Sequence, residues 1–174
     1  MKHRVIDSPV GPLTLVVDGA GVLCALYTDG QKYFPDAAGL GERDDTVAPD
    51  AVAQLGEYFA GKRSEFDVAL APRGTDFQKA VWAALQQIPA GGTLTYGELA
   101  RELGRPGASR AVGAATGRNP ISIIVPCHRL VGASGAMTGY AGGVDRKRWL
   151  LDHERGTVRR GSPDARARAR SSGG

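Results

Sequence analysis

The sequence predicts an α/β chain in two parts: a mixed α/β N-terminal domain over residues 1–72 and a mostly α-helical domain over 75–155, followed by a basic tail over 156–174. Three observations predict this. The first thirty residues read like strands separated by turns. Beyond Ala71-Pro72-Arg73-Gly74 the apolar positions shift to helical spacing. The charge also changes sign along the chain. Residues 1–75 hold seven Lys/Arg against eleven Asp/Glu, residues 76–154 nine against six, and residues 155–174 six against one.

His3–Asp7, Leu13–Val17 and Val22–Tyr27 read as strands, with Ser8-Pro9-Val10-Gly11-Pro12 and Asp18-Gly19-Ala20-Gly21 as the turns between them. Residues 29–45, rich in Gly, Asp, Ala and Pro, read as a surface loop. Val47–Ala60 carries Val52, Leu55, Tyr58 and Phe59 at helical spacing, and Phe66–Leu70 alternates like a further strand. Thr75 or Asp76 caps a helix expected to reach Ile88, with Phe77, Val81, Trp82 and Leu85 on one stripe. Tyr96–Leu103 and Ala108–Gly117 are short helices joined by Gly104-Arg105-Pro106-Gly107, which is the helix-turn-helix pattern. Asn119–Leu130 is apolar and β-branched around Pro126-Cys127-His128-Arg129. A Gly-rich loop over 132–143 and a helix from Val144 to Glu154 follow. Arg155–Gly174 lacks apolar periodicity and is expected to be disordered.

Composition removes several classes of function. No apolar run approaches the ~18 residues of a membrane span, so no membrane partner is expected. Met1–Asp7 carries no apolar stretch after its basic residues, unlike a secretory signal. Two cysteines without an export signal read as free thiols in a reducing cytoplasm. His3 and His153 have no Cys or His at ligand spacing, so no metal is expected. A polyanion would meet the C-terminal half and tail rather than the acidic N-terminal half.

Cys127 is the candidate nucleophile, because a thiolate is soft and strongly nucleophilic, and His128 and Arg129 adjoin it. Neighbouring side chains in an extended segment point to opposite sides, while Pro126 makes the backbone irregular, so a Cys127–His128 pair stays open. A buried, inert thiol accounts for Cys127 equally well. Cys24, between Leu23 and Ala25 in a strand, reads as packing. The helix-turn-helix is either a core element or a nucleic-acid reader. Arg105, Arg110 and Arg118 surround its second helix, and Ala108, Ser109, Ala111, Gly113, Ala114 and Ala115 keep that helix slim. A slim helix approaches even a minor groove ~6 Å wide, or simply packs tightly on another helix. Glu154 is a solvated charge unless a histidine meets it, and half-buried core positions suit Tyr96 and Tyr140.

The run Ile123-Ile124-Val125-Pro126-Cys127-His128-Arg129 resembles the active-site signature of the O6-alkylguanine-DNA alkyltransferases, also called methylated-DNA–protein-cysteine methyltransferases. Thr75-Asp76-Phe77-Gln78, Val81-Trp82, Thr95-Tyr96-Gly97-Glu98, Arg110-Ala111-Val112-Gly113, Asn119-Pro120 and Gly139-Tyr140 are similar to family positions, as is Ser8–Leu13. The tail lies outside the resemblance. The resemblance implies a ribonuclease-H-like N-terminal domain and a winged-helix-like helix-turn-helix domain. Its partner would be the minor groove of double-stranded DNA carrying O6-alkylguanine or O4-alkylthymine. It implies a monomer, with cooperativity on DNA left open, that needs no cofactor and is consumed in one turnover.

Site roles follow from the same resemblance. Cys127 would accept the alkyl group, His128 would take its proton through a water, Glu154 would orient His128, and Asn119 would brace the turn. Tyr96 would donate to guanine N3. Ala141 N–H would face O6, and the carbonyls of Cys127 and Leu130 the exocyclic amine, with Tyr140 and Ser122 completing the pocket. Arg110 would fill the gap left by the flipped nucleotide, and Thr95, Ala108, Ser109, Ala111 and Arg118 would meet the DNA. Ser122 stands where relatives carry proline, and Thr116 where a bulkier apolar residue occurs. Two competing readings are a helix-turn-helix regulator with an incidental thiol and a cysteine hydrolase; no separated His/Asn partner favours the latter.

Overall fold

Three strands open the chain, β1 (Lys2–Ile6), β2 (Leu13–Val17) and β3 (Leu23–Thr28), paired antiparallel in sequence. The computed structural model describes residues 1–137 and 139–160. Gly11 and Gly21 close the two turns with φ of +96° and +80°, values that side chains resist. Every residue of β2 is buried, so the sheet is covered on both faces. Leu13 and Leu15 face the main core, and Val16 packs with Cys24 and Ala25 on the other side. Cys24 thus sits as a packed thiol whose Sγ–H donates to the Val16 carbonyl at 3.4 Å.

The stretch expected as plain loop holds two short elements, α1 (Ala37–Leu40) and β4 (Glu42–Arg43). Asp36 caps α1 by accepting from the Gly39 N–H, and β4 pairs parallel to β1, giving the sheet order β3-β2-β1-β4. Next comes α2 (Pro49–Phe59), with Pro49 in the first turn, where its missing N–H has no consequence. The strand expected over Phe66–Leu70 does not form; Leu70 alone bridges, to Leu23. The cause is local. The Gln54 side chain donates to the Asp67 carbonyl at 3.0 Å and accepts from the Asp67 N–H at 2.8 Å, so a side-chain amide takes the place of a neighbouring strand.

Thr75 starts α3 (Asp76–Leu85) with a capping box closed by Gln78. The helix stops short of Ile88 because Pro89 disfavours helical backbone before it, and the chain tightens to i→i−3 bonds at Gln87 and Ile88. β5 (Leu94–Thr95) leads directly into α4 (Tyr96–Glu102), and α5 (Ser109–Gly117) completes the helix-turn-helix. β6 (Leu130–Val131) lies parallel to β5. Finally α6 (Val144–Arg159) runs five residues beyond the expected end at Glu154, because Thr157 continues its buried face. Residues 156–159 of the expected tail are therefore helical, and residues 161–174 lie outside the described residues.

One apolar core crosses the join between the two halves. Leu13, Leu26 and Leu55 belong to the same buried cluster as Val81, Trp82, Leu99 and Leu150. Trp82 Nε1 donates to the Ala115 carbonyl at 2.8 Å, tying α3 to α5. No helix among the described residues is long and apolar enough to cross a membrane, and no group of three His, Cys, Asp or Glu there could hold a metal ion.

Candidate active site

Every residue from Ile121 to Val131 is buried, although no regular element spans the segment. Its backbone groups need other partners. Two tight turns supply some: the Ile124 N–H donates to the Ser122 carbonyl, and the Cys127 N–H to the Val125 carbonyl, each at 2.8 Å. The first turn forces Ile123 to φ +73°, which for a β-branched residue stores roughly 1–3 kcal/mol of strain. Asn119 holds this shape. Its Nδ2 donates to Val125 O at 2.9 Å and its Oδ1 accepts from the Ile121 N–H at 3.0 Å. The free edge of β3 supplies two more. Leu26 N–H donates to Pro120 O at 2.8 Å, and Ser122 N–H donates to Leu26 O at 3.0 Å.

Cys127, His128 and Arg129 then form one 3-10 turn rather than an extended run, so the alternation argument does not apply to them. Among the described residues the His128 ring makes no hydrogen bond to the Cys127 thiol. His128 instead meets Glu154 from α6, with Nε2 and Oε2 2.7 Å apart. Arg129 reaches the same carboxylate through Nε at 2.8 Å and a terminal nitrogen at 2.9 Å, and its other terminal nitrogen donates to Ile88 O at 2.6 Å. Tyr58 of α2 donates its hydroxyl proton to Glu154 Oε2 at 2.6 Å. Glu154 is 1% exposed and Arg129 4%, so this is a buried charge pair whose geometry must offset two desolvations.

These contacts set the protonation states. Burial opposes the Glu154 charge, but His128 and Arg129 outweigh it and hold the carboxyl well below the usual range. Burial lowers the His128 pKa, with Glu154 pulling the other way, which leaves a neutral imidazole near neutral pH. With Nε2–H donated to a carboxylate, Nδ1 is the lone-pair nitrogen, and it is buried without a partner among the described residues. It is a proton acceptor in waiting. Burial also pushes the Cys127 thiol up, while Asn119 and Lys147 act in the opposite direction. At rest the nucleophile is a thiol, and ionising it needs an acceptor.

Tyr140 lies within the electrostatic field of this group. It lines a cleft of about 910 Å³, together with Ala141, Gly139 and small residues of α5. Burial, and after it the charge of Cys127, pushes its hydroxyl well up. Ser122 and Leu130 are both buried. The Leu130 carbonyl already accepts from Lys147 Nζ at 2.6 Å, leaving its second lone pair for any further donor. Tyr96 stands at a neighbouring opening with Ser109, Arg110, Gly113 and Gly139. A Cβ at Gly139 would come within 3.0 Å of the Tyr96 oxygen, and φ there is +68°, so the loop passes over the phenol only as glycine.

The remaining predicted residues divide. Arg110 and Ala111 are exposed on α5, and Ala108 and Ser109 are half-buried at its start. Thr95 is committed to the α4 capping box, accepting from the Glu98 N–H at 3.1 Å. Arg118, at the other end of α5, stacks its guanidinium 3.7 Å from the centre of the Tyr33 ring and lines the cleft instead of joining Arg110. Asn119, Cys127, His128 and Glu154 are brought together; Arg118 and Arg110 are not.

Sequence reasoning missed Tyr58, Lys147 and the pairing of Arg129. One signal was available. Lys147, Leu150, Leu151 and Glu154 follow the i, i+3, i+4, i+7 rule of a buried helix stripe, so both charges occupy core positions. Nothing local marks Tyr58.

Residues 1–72 match the 6-O-methylguanine DNA methyltransferase ribonuclease-like domain, and residues 76–156 match the DNA-binding domain of the same family. A methylated-DNA–protein-cysteine methyltransferase of Mycobacterium tuberculosis H37Rv is 55% identical over 155 residues, covering 89% of this chain and 93% of the relative. Its namesake in Methanosarcina acetivorans is 49% identical over 154 residues, covering 88% and 98%. The crystal structure of Mycobacterium tuberculosis OGT in complex with DNA superposes with a TM-score of 0.86 at 54% identity, covering 90% of this chain and 94% of that one. By both its halves and its relatives, the chain belongs to the 6-O-methylguanine DNA methyltransferase family.

Proposed function

We propose that this chain repairs DNA by direct reversal, transferring the alkyl group of O6-alkylguanine, and of O4-alkylthymine, to Cys127 and inactivating itself. The observation that carries the reading is His128, paired through Nε2 to Glu154 at 2.7 Å with its Nδ1 buried and unpartnered among the described residues, next in the chain to a buried thiol, while Tyr140 lines an open cleft. An O6-alkyl group lies inside the base stack, so the nucleotide must be flipped out to reach such a site.

In the reaction, Cys127 passes its proton through water to His128 Nδ1, and the thiolate attacks the alkyl carbon. The S–C bond forms as the C–O bond breaks, and the electron pair goes to the guanine ring. Tyr96 donates its proton at guanine N3, so the leaving base departs neutral, and the imidazolium proton restores the phenol. Ala141 N–H faces O6, and the Cys127 and Leu130 carbonyls face the exocyclic amine. The displacement needs no metal or organic cofactor. Because the thioether is stable to hydrolysis, each chain acts once.

In this reading residues 75–155 form a winged-helix-like unit that binds the minor groove through α5, with Arg110 inserted where the nucleotide leaves. Ala108, Ser109 and Ala111 allow the close approach. Residues 1–72 form a ribonuclease-H-like domain, and the protein works as a cytoplasmic monomer. Incubation with duplex DNA bearing one O6-methylguanine tests the reading by intact mass and peptide mapping. One methyl per chain is expected on Cys127, and none on the Cys127→Ala variant. Repeated turnover, or methylation of Cys24, would overturn it.

A further inference from the structure

We propose that Tyr58, supplied by the N-terminal half, is a positioning residue of the proton relay, its hydroxyl holding Glu154 and tempering the basicity of His128. This rests on the alkyl-transfer reading above. The geometry is specific. Glu154 Oε2 accepts from Tyr58 at 2.6 Å, His128 at 2.7 Å and Arg129 at 2.9 Å, whereas Oε1 accepts from Arg129 at 2.8 Å. A carboxylate oxygen has about two good lone-pair directions, so three donors compete for one atom. Each hydrogen bond made by Tyr58 withdraws charge that Oε2 would otherwise offer to His128.

The phenol has little freedom to be elsewhere. Its ring meets Phe59, Phe66 and His153 at centroid distances of 5.1, 5.4 and 5.2 Å, and the residue is 1% exposed. Its own carbonyl faces His153 Nε2 at 2.7 Å, pinning α2 to α6 at the same level. Burial, and then Glu154, push its pKa well up, so it stays a neutral donor throughout the working range. The charged and titratable groups facing Glu154 are Tyr58 from α2 and His128 and Arg129 from the 3-10 turn, with the Tyr140 hydroxyl within its field; Lys147, on the same helix, acts on His128. Of the neutral donors in this set, Tyr58 and His128 touch the carboxylate, and only Tyr58 belongs to the N-terminal half.

A side chain that merely fills space would change rates without moving a titration. One that shares Oε2 must move the titration of His128, in a direction fixed by its donor strength. The test uses the full chain with 15N-labelled histidine, following the His128 ring by NMR across pH. In parallel, the single-turnover rate with free O6-methylguanine is measured over the same range. Tyr58→Phe keeps the ring and removes the donor, and should raise the His128 midpoint, and the acid limb of the rate, by about one pH unit. Placing 3-fluorotyrosine at position 58 makes a stronger donor and should lower both. The fluorinated chain decides the matter alone if Tyr58→Phe does not fold. Unmoved midpoints, with methyl uptake intact, overturn the inference. Absence of methyl uptake by the unmodified chain overturns the underlying reading instead, because the NMR titration needs no reaction.

Discussion

The helix-turn-helix and the segment around Cys127 lie in the same half of the molecule and are built by opposite means. α4 is closed by Thr95 and Glu98, three residues apart, and Leu103 and Gly104 end it with bonds inside the same turn. The 119–131 segment borrows from everywhere. Arg129 reaches Ile88 across 41 residues, His128 reaches Glu154 across 26, and Tyr58 meets Glu154 across 96. The contrast follows from what each region faces. A surface that meets a large external partner needs only its own helix to be stable. A nucleophile removed from water needs its charges and irregular backbone satisfied from inside, by groups that local sequence does not supply.

The largest expected effect tests the buried side of that contrast. Glu154→Gln leaves the Arg129 guanidinium in the interior without a counter-charge and should cost about 3–5 kcal/mol in chemical denaturation. A loss below about 1 kcal/mol would mean that the segment is held by packing alone. The pH dependence sharpens the point. Glu154 titrates below its ordinary 4.5 in the folded chain, so its contribution is complete above that value and is lost as pH falls toward the folded one. His128 is also depressed from its ordinary 6.5, and a histidine buried neutral destabilises the fold once the unfolded chain begins to take up that proton. Both signs agree. The melting temperature should fall from pH 7 to pH 4.

A smaller effect is expected on the exposed side. Arg110→Ala should slow repair of duplex DNA at least about tenfold, roughly 1.4 kcal/mol, while changing folding stability by less than about 0.5 kcal/mol. Reaction with the free alkylated base should stay as it was. Equal losses on both substrates would show that α5 shapes the pocket as well, and the two regions would no longer be separable. The smallest effect concerns charge beyond α6. Truncation after Arg160 removes Arg166, Arg168 and Arg170. It should flatten the slope of log affinity against log salt by about 2–3 units at ~0.9 per phosphate contact. An identical slope in both chains would exclude the tail from DNA binding.

Legibility in the sequence follows the same division. Thr75 announces the start of α3, and Gly104 to Gly107 mark the turn between α4 and α5, because caps and turns are written within a few residues. The alternation of Phe66–Leu70 is a strand pattern without a strand, since Gln54, far away in sequence, satisfies the backbone first. Cys127 stands out through its neighbours, and Glu154 through the resemblance. That Arg129 closes on the same carboxylate is invisible, because adjacency in sequence suggests only a generally positive surrounding for the thiol. Tyr58 is one of four large side chains on an amphipathic helix, and no rule separates the one with a reactive partner from those that pack.

The arrangement around Glu154 also has a consequence in time. During synthesis Tyr58 is made first, then Cys127, His128 and Arg129, and the carboxylate that unites them comes last. A nascent or prematurely ended chain that stops before Glu154 carries the thiol, but its imidazole has no orienting partner and its guanidinium has no reason to leave water. Three of the buried hydrogen-bond partnerships beside Cys127 can be completed only when that residue arrives. The chain's reactivity is thereby tied to its own completeness, and a fragment that exposes the cysteine is the fragment least equipped to use it.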